Sequence, residues 1–140
     1  MLVTTRGRYA MRLMAYIAGS PDRKVALREV AKSESISLKY LEQLANEMVK
    51  ADLLTSTRGH GGGYALAREA ASIKTGDILR AAEGSTAPVA CAALAETGSC
   101  PREEMCSTIS FWAGLDRVID DYVNGVTLAD LVEPVGEPSP

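Results

Sequence analysis

The chain has 140 residues, 46% of them hydrophobic and 24% charged, with a formal net charge of −3. That is one domain, or a small domain carrying an extension, with enough apolar material for a core. The longest charge-free stretch runs from Gly84 to Ala95 and contains Pro88, so no segment is long enough to span a bilayer and no membrane partner is expected. The run "LMAYIAGSP" behind Arg6, Arg8 and Arg12 faintly resembles a secretory signal. Its apolar part is short and the arginines fall at helical spacing inside it, so a first amphipathic helix and a cytoplasmic protein are predicted.

The net charge hides an asymmetry. Residues 1–68 carry 11 basic against 6 acidic residues, a net of +5, and residues 69–140 carry 4 against 12, a net of −8. Only the front half is suited to meet a polyanion.

In chain order, a first helix is predicted from Thr4 or Thr5, either of which can cap it. Ala10, Leu13, Met14 and Ile17 recur at i, i+3, i+4 and i+7 and give it one apolar face. It ends at "GSPD". "VALREVAKS" is a second short helix with Leu27, Val30 and Ala31 inward. A third follows in "SISLKYLEQLANEMVKADLL", with Ser37 as N-cap. Leu38, Leu41, Leu44, Ala45, Met48 and Val49 form its buried stripe, and Lys39, Tyr40, Glu42, Gln43, Asn46 and Glu47 its polar side. Two helices joined by a tight turn, the second with a hydrogen-bonding outer face, fit a helix-turn-helix. Bundle helices share that pattern.

"LLTSTRGHGGGYALAR" then offers two short strands around a glycine tip, where Gly59, Gly61, Gly62 and Gly63 supply positive φ. Arg58, His60 and Arg68 decorate it. A nucleotide loop would need a helix and a Lys-Ser/Thr directly after the glycines, whereas strand-like "YALA" follows. The expected fold is therefore mainly α: a winged helix-turn-helix with a small β-hairpin wing. "SIKTGDILRAAEG" adds a helix capped by Thr75 and closed by Gly84, with Ile78, Leu79 and Ala82 inward.

An irregular loop follows, holding every cysteine of the chain: Cys91, Cys100 and Cys106, spaced C-x8-C-x5-C. Clustered thiols in the cytoplasm serve metal or redox chemistry more often than structural disulfides. Thiolates suit zinc and iron–sulfur clusters, but both usually take four protein ligands and this loop offers three. Free thiols, a redox pair and a lost site remain open. His60, the only histidine, belongs to the wing. "STISFWAGLDRVIDDYVNG" is a long helix ending at Gly125, whose Trp112, Leu115, Ile119 and Tyr122 form an a/d seam, and Ile109, Phe111, Val118 and Val123 add to its apolar surface. It is read as a dimerisation helix. "TLADL" is a short capped helical turn and "EPVGEPSP" a disordered tail. The expected organisation is a DNA-binding domain at 1–84, a cysteine loop at 85–106, a dimerisation helix and terminal turn at 107–132, and a tail at 133–140.

"TTRGRYAMR", "SISLKYLEQL", "RGHGGGYALAR", "TGDILRAAEG", the three cysteines, "FWAGLDRVI" and "VTLADL" occur in that order. Together they resemble the bacterial winged-helix transcription regulator family of the repressors IscR and CymR and the nitric-oxide sensor NsrR, over residues 1–132. The resemblance implies a homodimeric regulator, in many members bearing an iron–sulfur cluster of the 2Fe–2S or 4Fe–4S type on three loop cysteines. Two features depart from it. Cluster-binding relatives space the first two cysteines closer, and IscR-like members carry a histidine where this chain has Ile109. NsrR-like members use an aspartate near the partner's N-terminus, where this chain has Arg6 and Arg8. Glu103, Glu104, Ser107, an acidic residue of the partner or a small molecule are left as fourth-ligand candidates.

On double-stranded DNA, the first turns of the third helix would enter the major groove. Lys39 suits guanine or a phosphate, Gln43 adenine, and Glu42 cytosine; Tyr40 suits a phosphate or a thymine methyl. Ser37 lies at the start of this set as a cap. Arg58, His60, Gly61 and Gly62 would bring the wing to the backbone or minor groove. Thr5, Arg6 and Arg8 sit where a helix N-terminus favours phosphate, and Arg28 is placed with them. A symmetric dimer predicts a palindromic operator. Two rivals stand beside this expectation: a cluster-free regulator of the same family controlled by thiol oxidation or a partner protein, and a metal- or sulfur-handling adaptor whose winged helix binds protein. No paired carboxylates or activated nucleophile point to an enzyme.

Overall fold

The structure, a computed structural model, describes residues 3–89 and 107–132. Helix α1 spans Thr5–Ala18, α2 Leu27–Glu34 and α3 Leu38–Lys50. Strands β1, Leu54–Thr57, and β2, Gly63–Leu66, form the hairpin, followed by a 3-10 turn at Ala70–Ser72. Helices α4 (Thr75–Glu83), α5 (Ile109–Gly125) and α6 (Leu128–Val132) complete it. The cysteine segment and the tail at 133–140 lie outside the described residues. Among the described residues no helix is long and apolar enough to cross a membrane.

Helix α1 begins where Thr4 accepts from the Arg6 N–H at 3.2 Å, satisfying one of the free donors at a helix start. Its predicted apolar face, Ala10, Leu13, Met14 and Ile17, is the centre of the core, joined by Val30, Leu41, Leu44, Met48, Ile78 and Leu128. Helix α2 ends at Ser35 in the left-handed region (φ 57°), and two residues later Ser37 caps α3 by accepting from Tyr40 N–H at 3.3 Å. That is the expected helix-turn-helix. Leu38, predicted in the buried stripe, is instead 36% exposed, because the first turn of α3 projects past the core.

Three arginines of the basic half are held by carboxylates of that half. Arg6 pairs with Glu47 of α3, and its Nε donates to the Ala82 carbonyl of α4 at 2.9 Å. Arg6, expected at a phosphate, thus forms a clamp between three helices. Arg12 pairs with Glu34, and Arg23 forks onto Glu29 at 2.7 and 2.6 Å while Tyr16 donates to the same carboxylate at 2.8 Å.

At α4 the cap also differs from expectation. Asp77 accepts from the N–H of Lys74, the residue before the helix, at 3.1 Å. Thr75 turns inward instead and donates to the Val123 carbonyl of α5 at 2.9 Å. Gly76 permits that closeness, since a Cβ there would stand 2.7 Å from both Arg80 Nη2 and Asn124 Oδ1. Arg80 then joins α4 to α5 through Asn124 at 2.8 Å and Asp120 at 3.6 Å. On α5 the predicted seam is unevenly exposed, with only Tyr122 of its four residues open to solvent beside Phe111 and Val118. Trp112, Leu115 and Ile119 are half-buried, and Phe111, Val118 and Tyr122 are 62%, 65% and 70% exposed.

The Arg23 fork, then the Tyr16 hydroxyl, hold the Glu29 carboxyl down to about 2 from its ordinary 4.5. A pKa lower in the folded than in the unfolded chain gives stability that is complete above the unfolded value and lost as pH falls through the folded one. The pair is a third to a half exposed, so its worth is below about 1 kcal/mol. Glu29→Gln is expected to lower the thermal midpoint slightly at neutral pH, and the gap to wild type should close as pH falls from 4.5 towards 2. Midpoints recorded across that range check it.

Candidate nucleic-acid interface

The interface is built from the first turns of α2 and α3 and from the wing. Helix α3 buries Leu41, Leu44, Ala45 and Met48, which turns Lys39, Glu42, Gln43 and Asn46 to solvent. Lys39, Glu42 and Gln43 make no side-chain hydrogen bond or ion pair among the described residues, so their donors and acceptors stay open. Tyr40 is half-buried and meets the Tyr9 ring edge-on at 5.8 Å between centroids; its ring serves the fold as well as the surface.

The wing pairs Leu54 with Leu66, Thr55 with Ala65, Ser56 with Tyr64 and Thr57 with Gly63. Its tip runs from Arg58 to Gly62 and is closed by the Gly62 N–H donating to the Gly59 carbonyl at 3.0 Å. Gly59 and Gly61 take φ of 93° and 76°, as expected, but Gly62 does not have positive φ. It is glycine for space, because a Cβ would collide with the Thr57 carbonyl. Arg58 and His60 are exposed at this tip.

A third strand segment, unseen in the sequence, ties the wing to the helix-turn-helix. Val25, just before α2, exchanges two backbone hydrogen bonds with Tyr64, each at 2.8 Å. Gly63 allows the approach: its φ is 152°, and a Cβ would lie 2.6 Å from the Val25 carbonyl oxygen. Between this bridge and α3 lies an open groove of about 620 Å³, lined by Arg28, Leu38, Glu42, Thr57, Gly59 and Tyr64 among others. Exposed Leu38 therefore floors a groove. Thr5 is half-buried, while Arg8 and Arg28 are exposed and make no ion pair among the described residues.

The candidate metal ligands Cys91, Cys100 and Cys106, and the fourth-ligand candidates Glu103 and Glu104, lie outside the described residues. Ser107 and Ile109 are described; Ser107 is exposed and Ile109 is the first residue of α5. Among the described residues no group of three or more His, Cys, Asp or Glu side chains could hold a metal ion.

A helix-turn-helix with an open polar reading helix, flanked by a glycine-tipped hairpin across a groove, defines a winged-helix DNA-binding protein. A family model described as Rrf2, iron-dependent transcriptional regulator, matches residues 3–134. The chain belongs to the Rrf2 family of transcriptional regulators. It is 40% identical over 134 residues to Protein rrf2 of Nitratidesulfovibrio vulgaris, covering 94% of this chain and 87% of that one. It is 37% identical over 134 residues to the HTH-type transcriptional regulator IscR of Vibrio campbellii, covering 95% and 78%. Among solved structures it is similar to CymR, the global cysteine regulator of B. subtilis, with a TM-score of 0.80 and 29% identity over 94% of this chain and 96% of that one. It also resembles T. potens IscR, with a TM-score of 0.78 and 33% identity over 100% and 92%. These relatives are regulators, and the family is non-enzymatic.

Gly63→Ala should strain the backbone and break the Val25–Tyr64 bridge, at a cost of roughly 1–3 kcal/mol. Urea unfolding checks the stability, and faster hydrogen exchange at the Val25 and Tyr64 amides checks the site.

Proposed function

We propose that the chain acts in the bacterial cytoplasm as a homodimeric regulator that binds a palindromic operator and carries an iron–sulfur cluster on Cys91, Cys100 and Cys106. Residues 1–84 are the DNA-binding unit, 85–106 the cluster segment, 107–132 the dimerisation element and 133–140 a tail. The observation that carries the DNA role is the set of open polar side chains on α3, of which Glu42 lines the groove shared with the wing.

Lys39, Glu42 and Gln43 read base edges, with Tyr40 and Leu38 beside them for apolar contact with thymine. Arg8, Arg28 and Arg58 with His60 neutralise phosphates, and the Gly61–Gly62 backbone lets the wing approach closely. Thr5 and Ser37 start the two helices whose N-termini favour phosphate. Phe111, Val118 and Tyr122, with half-buried Leu115 between them, repeat at heptad spacing on α5. A second copy covering that stripe forms the dimer and fixes the half-site spacing.

For the cluster, three thiolates in 16 residues are a suitable soft donor set that is one ligand short. The family's iron-dependent description and the IscR relatives support it; Ile109 at the expected histidine position favours the second reading, a cluster-free regulator controlled by thiol oxidation or a partner. Bound, the cluster would supply a site sensitive to oxidants or nitric oxide. In the sequence, the cysteines lie between the DNA-binding unit and α5.

Anaerobic purification separates the two readings. Visible absorption with bound iron, lost on changing any of Cys91, Cys100 or Cys106 to Ala, is expected; colourless, iron-free protein would leave the thiol reading. For DNA, a duplex is first enriched by the wild-type protein from a randomised pool. On it, Gln43→Ala should lose about 1–3 kcal/mol of preference at one adenine. Arg58→Ala should weaken all sequences alike and lower the salt slope by about one. Titrations at several salt concentrations read both, and a wild-type protein that enriches no sequence would refute the DNA role.

A further inference from the structure

Helix α1 carries a second stripe beside its apolar one. Tyr9, Arg12 and Tyr16 fall at i, i+3 and i+7, and each touches a different part of the helix-turn-helix. Tyr16 reaches Glu29 in the first turn of α2. Arg12 donates through Nε to Glu34 Oε1 at 3.0 Å and through Nη2 to the Glu34 backbone carbonyl, at the last residue of α2. The same guanidinium lies over the Tyr9 ring, 5.4 Å from its centroid. Tyr9 in turn meets Tyr40, in the first turn of α3, at 5.8 Å and 76°. One side chain thus grips the residue before the turn and, through one ring, the start of the reading helix.

The chemistry suits that task. Carbonyls at a helix C-terminus lack intrahelical partners and carry the negative end of the dipole. A planar guanidinium can bond a carboxylate and a carbonyl at once while its face rests on a ring, whereas a lysine ammonium is a point charge. The turn is only Ser35 to Ser37, and Arg12 adds a polar restraint beside it to the packing of Val30, Leu41 and Leu44 in the shared core. Arg12 and Glu34 are partly exposed, so the pair contributes little to global stability. Its leverage is geometric, since base readout depends on supporting contacts that hold the reading side chains to a fraction of an ångström.

We propose that Arg12 is a positioning residue for sequence discrimination, holding α3 at its reading angle through Glu34 and the Tyr9–Tyr40 contact without touching DNA itself. This rests on the reading that α3 enters the major groove.

The test uses the full chain with two probes: the duplex enriched by the wild-type protein from a randomised pool, and an unrelated duplex of equal length. Arg12→Ala is expected to weaken binding to the enriched duplex about tenfold and to the unrelated one less than about twofold, with the salt slope unchanged. Arg12→Lys should show most of the same loss, and serves as the second variant if the alanine form does not fold. Arg12→Ala with Glu34→Ala should be no worse than Arg12→Ala alone, as for two residues acting as one contact. A lower salt slope in Arg12→Ala would mean a direct phosphate contact and would overturn the proposal. Equal losses on both probes, or wild-type discrimination in both Arg12 variants, would do the same. A wild-type protein that enriches no sequence would overturn the major-groove reading and the proposal together.

Discussion

Helix α1 buries Ala10, Leu13, Met14 and Ile17 to within 1% exposure, and α2, α3, α4, α6 and strand β2 all pack against it. Its position therefore sets the position of everything that could touch DNA. A truncation such as Leu13→Ala would open a cavity where these elements meet, and large-to-small changes in such cores cost about 2–5 kcal/mol. The polar neighbours of that face act in the same sense. Arg6 ties α1 to α3 and α4, Arg12 ties it to the end of α2, and Tyr16 to the beginning of α2.

Much of this was legible in the residues. The four-residue apolar repeat of α1, the Ser37 cap, the glycine tip and the Gly84 helix end are local signals, and local signals survive folding. What the pattern could not supply was depth and long-range partnership. Leu38 continues the apolar stripe of α3, yet periodicity only says which side a residue is on, not how far the core extends along it. Thr75 looks like a cap because its neighbours are those of a helix start, but its hydroxyl is claimed by Val123, 48 residues away. On α5 Trp112 and Ile119 of the predicted seam are half-buried while Phe111 and Val118 are exposed, because both sets satisfy a heptad and only docking against α4 decides which side faces in.

The positive excess of the front half stays at +5 but is carried by fewer unpaired groups than a residue count implies. Arg6, Arg12 and Arg23 are matched by Glu47, Glu34 and Glu29 within the same half, so the excess available to a polyanion resides in fewer groups, among them Arg8, Arg28, Lys39 and Arg58. Counting charges treats every arginine as solvent-facing. A helix bundle this small needs some of them as clamps between helices, where a fork-shaped cation does what a compact one cannot.

Val25 and Tyr64 exchange two backbone hydrogen bonds, and Gly63 has no side chain to keep them apart. The wing is consequently sewn to the strand-like lead-in of α2, while α2 is locked to α3 through a three-residue turn. Such a head behaves as a calliper whose wing jaw is tied to α2 in backbone, while side chains of α1 brace the α3 jaw. Opening it at the wing would break both of those hydrogen bonds.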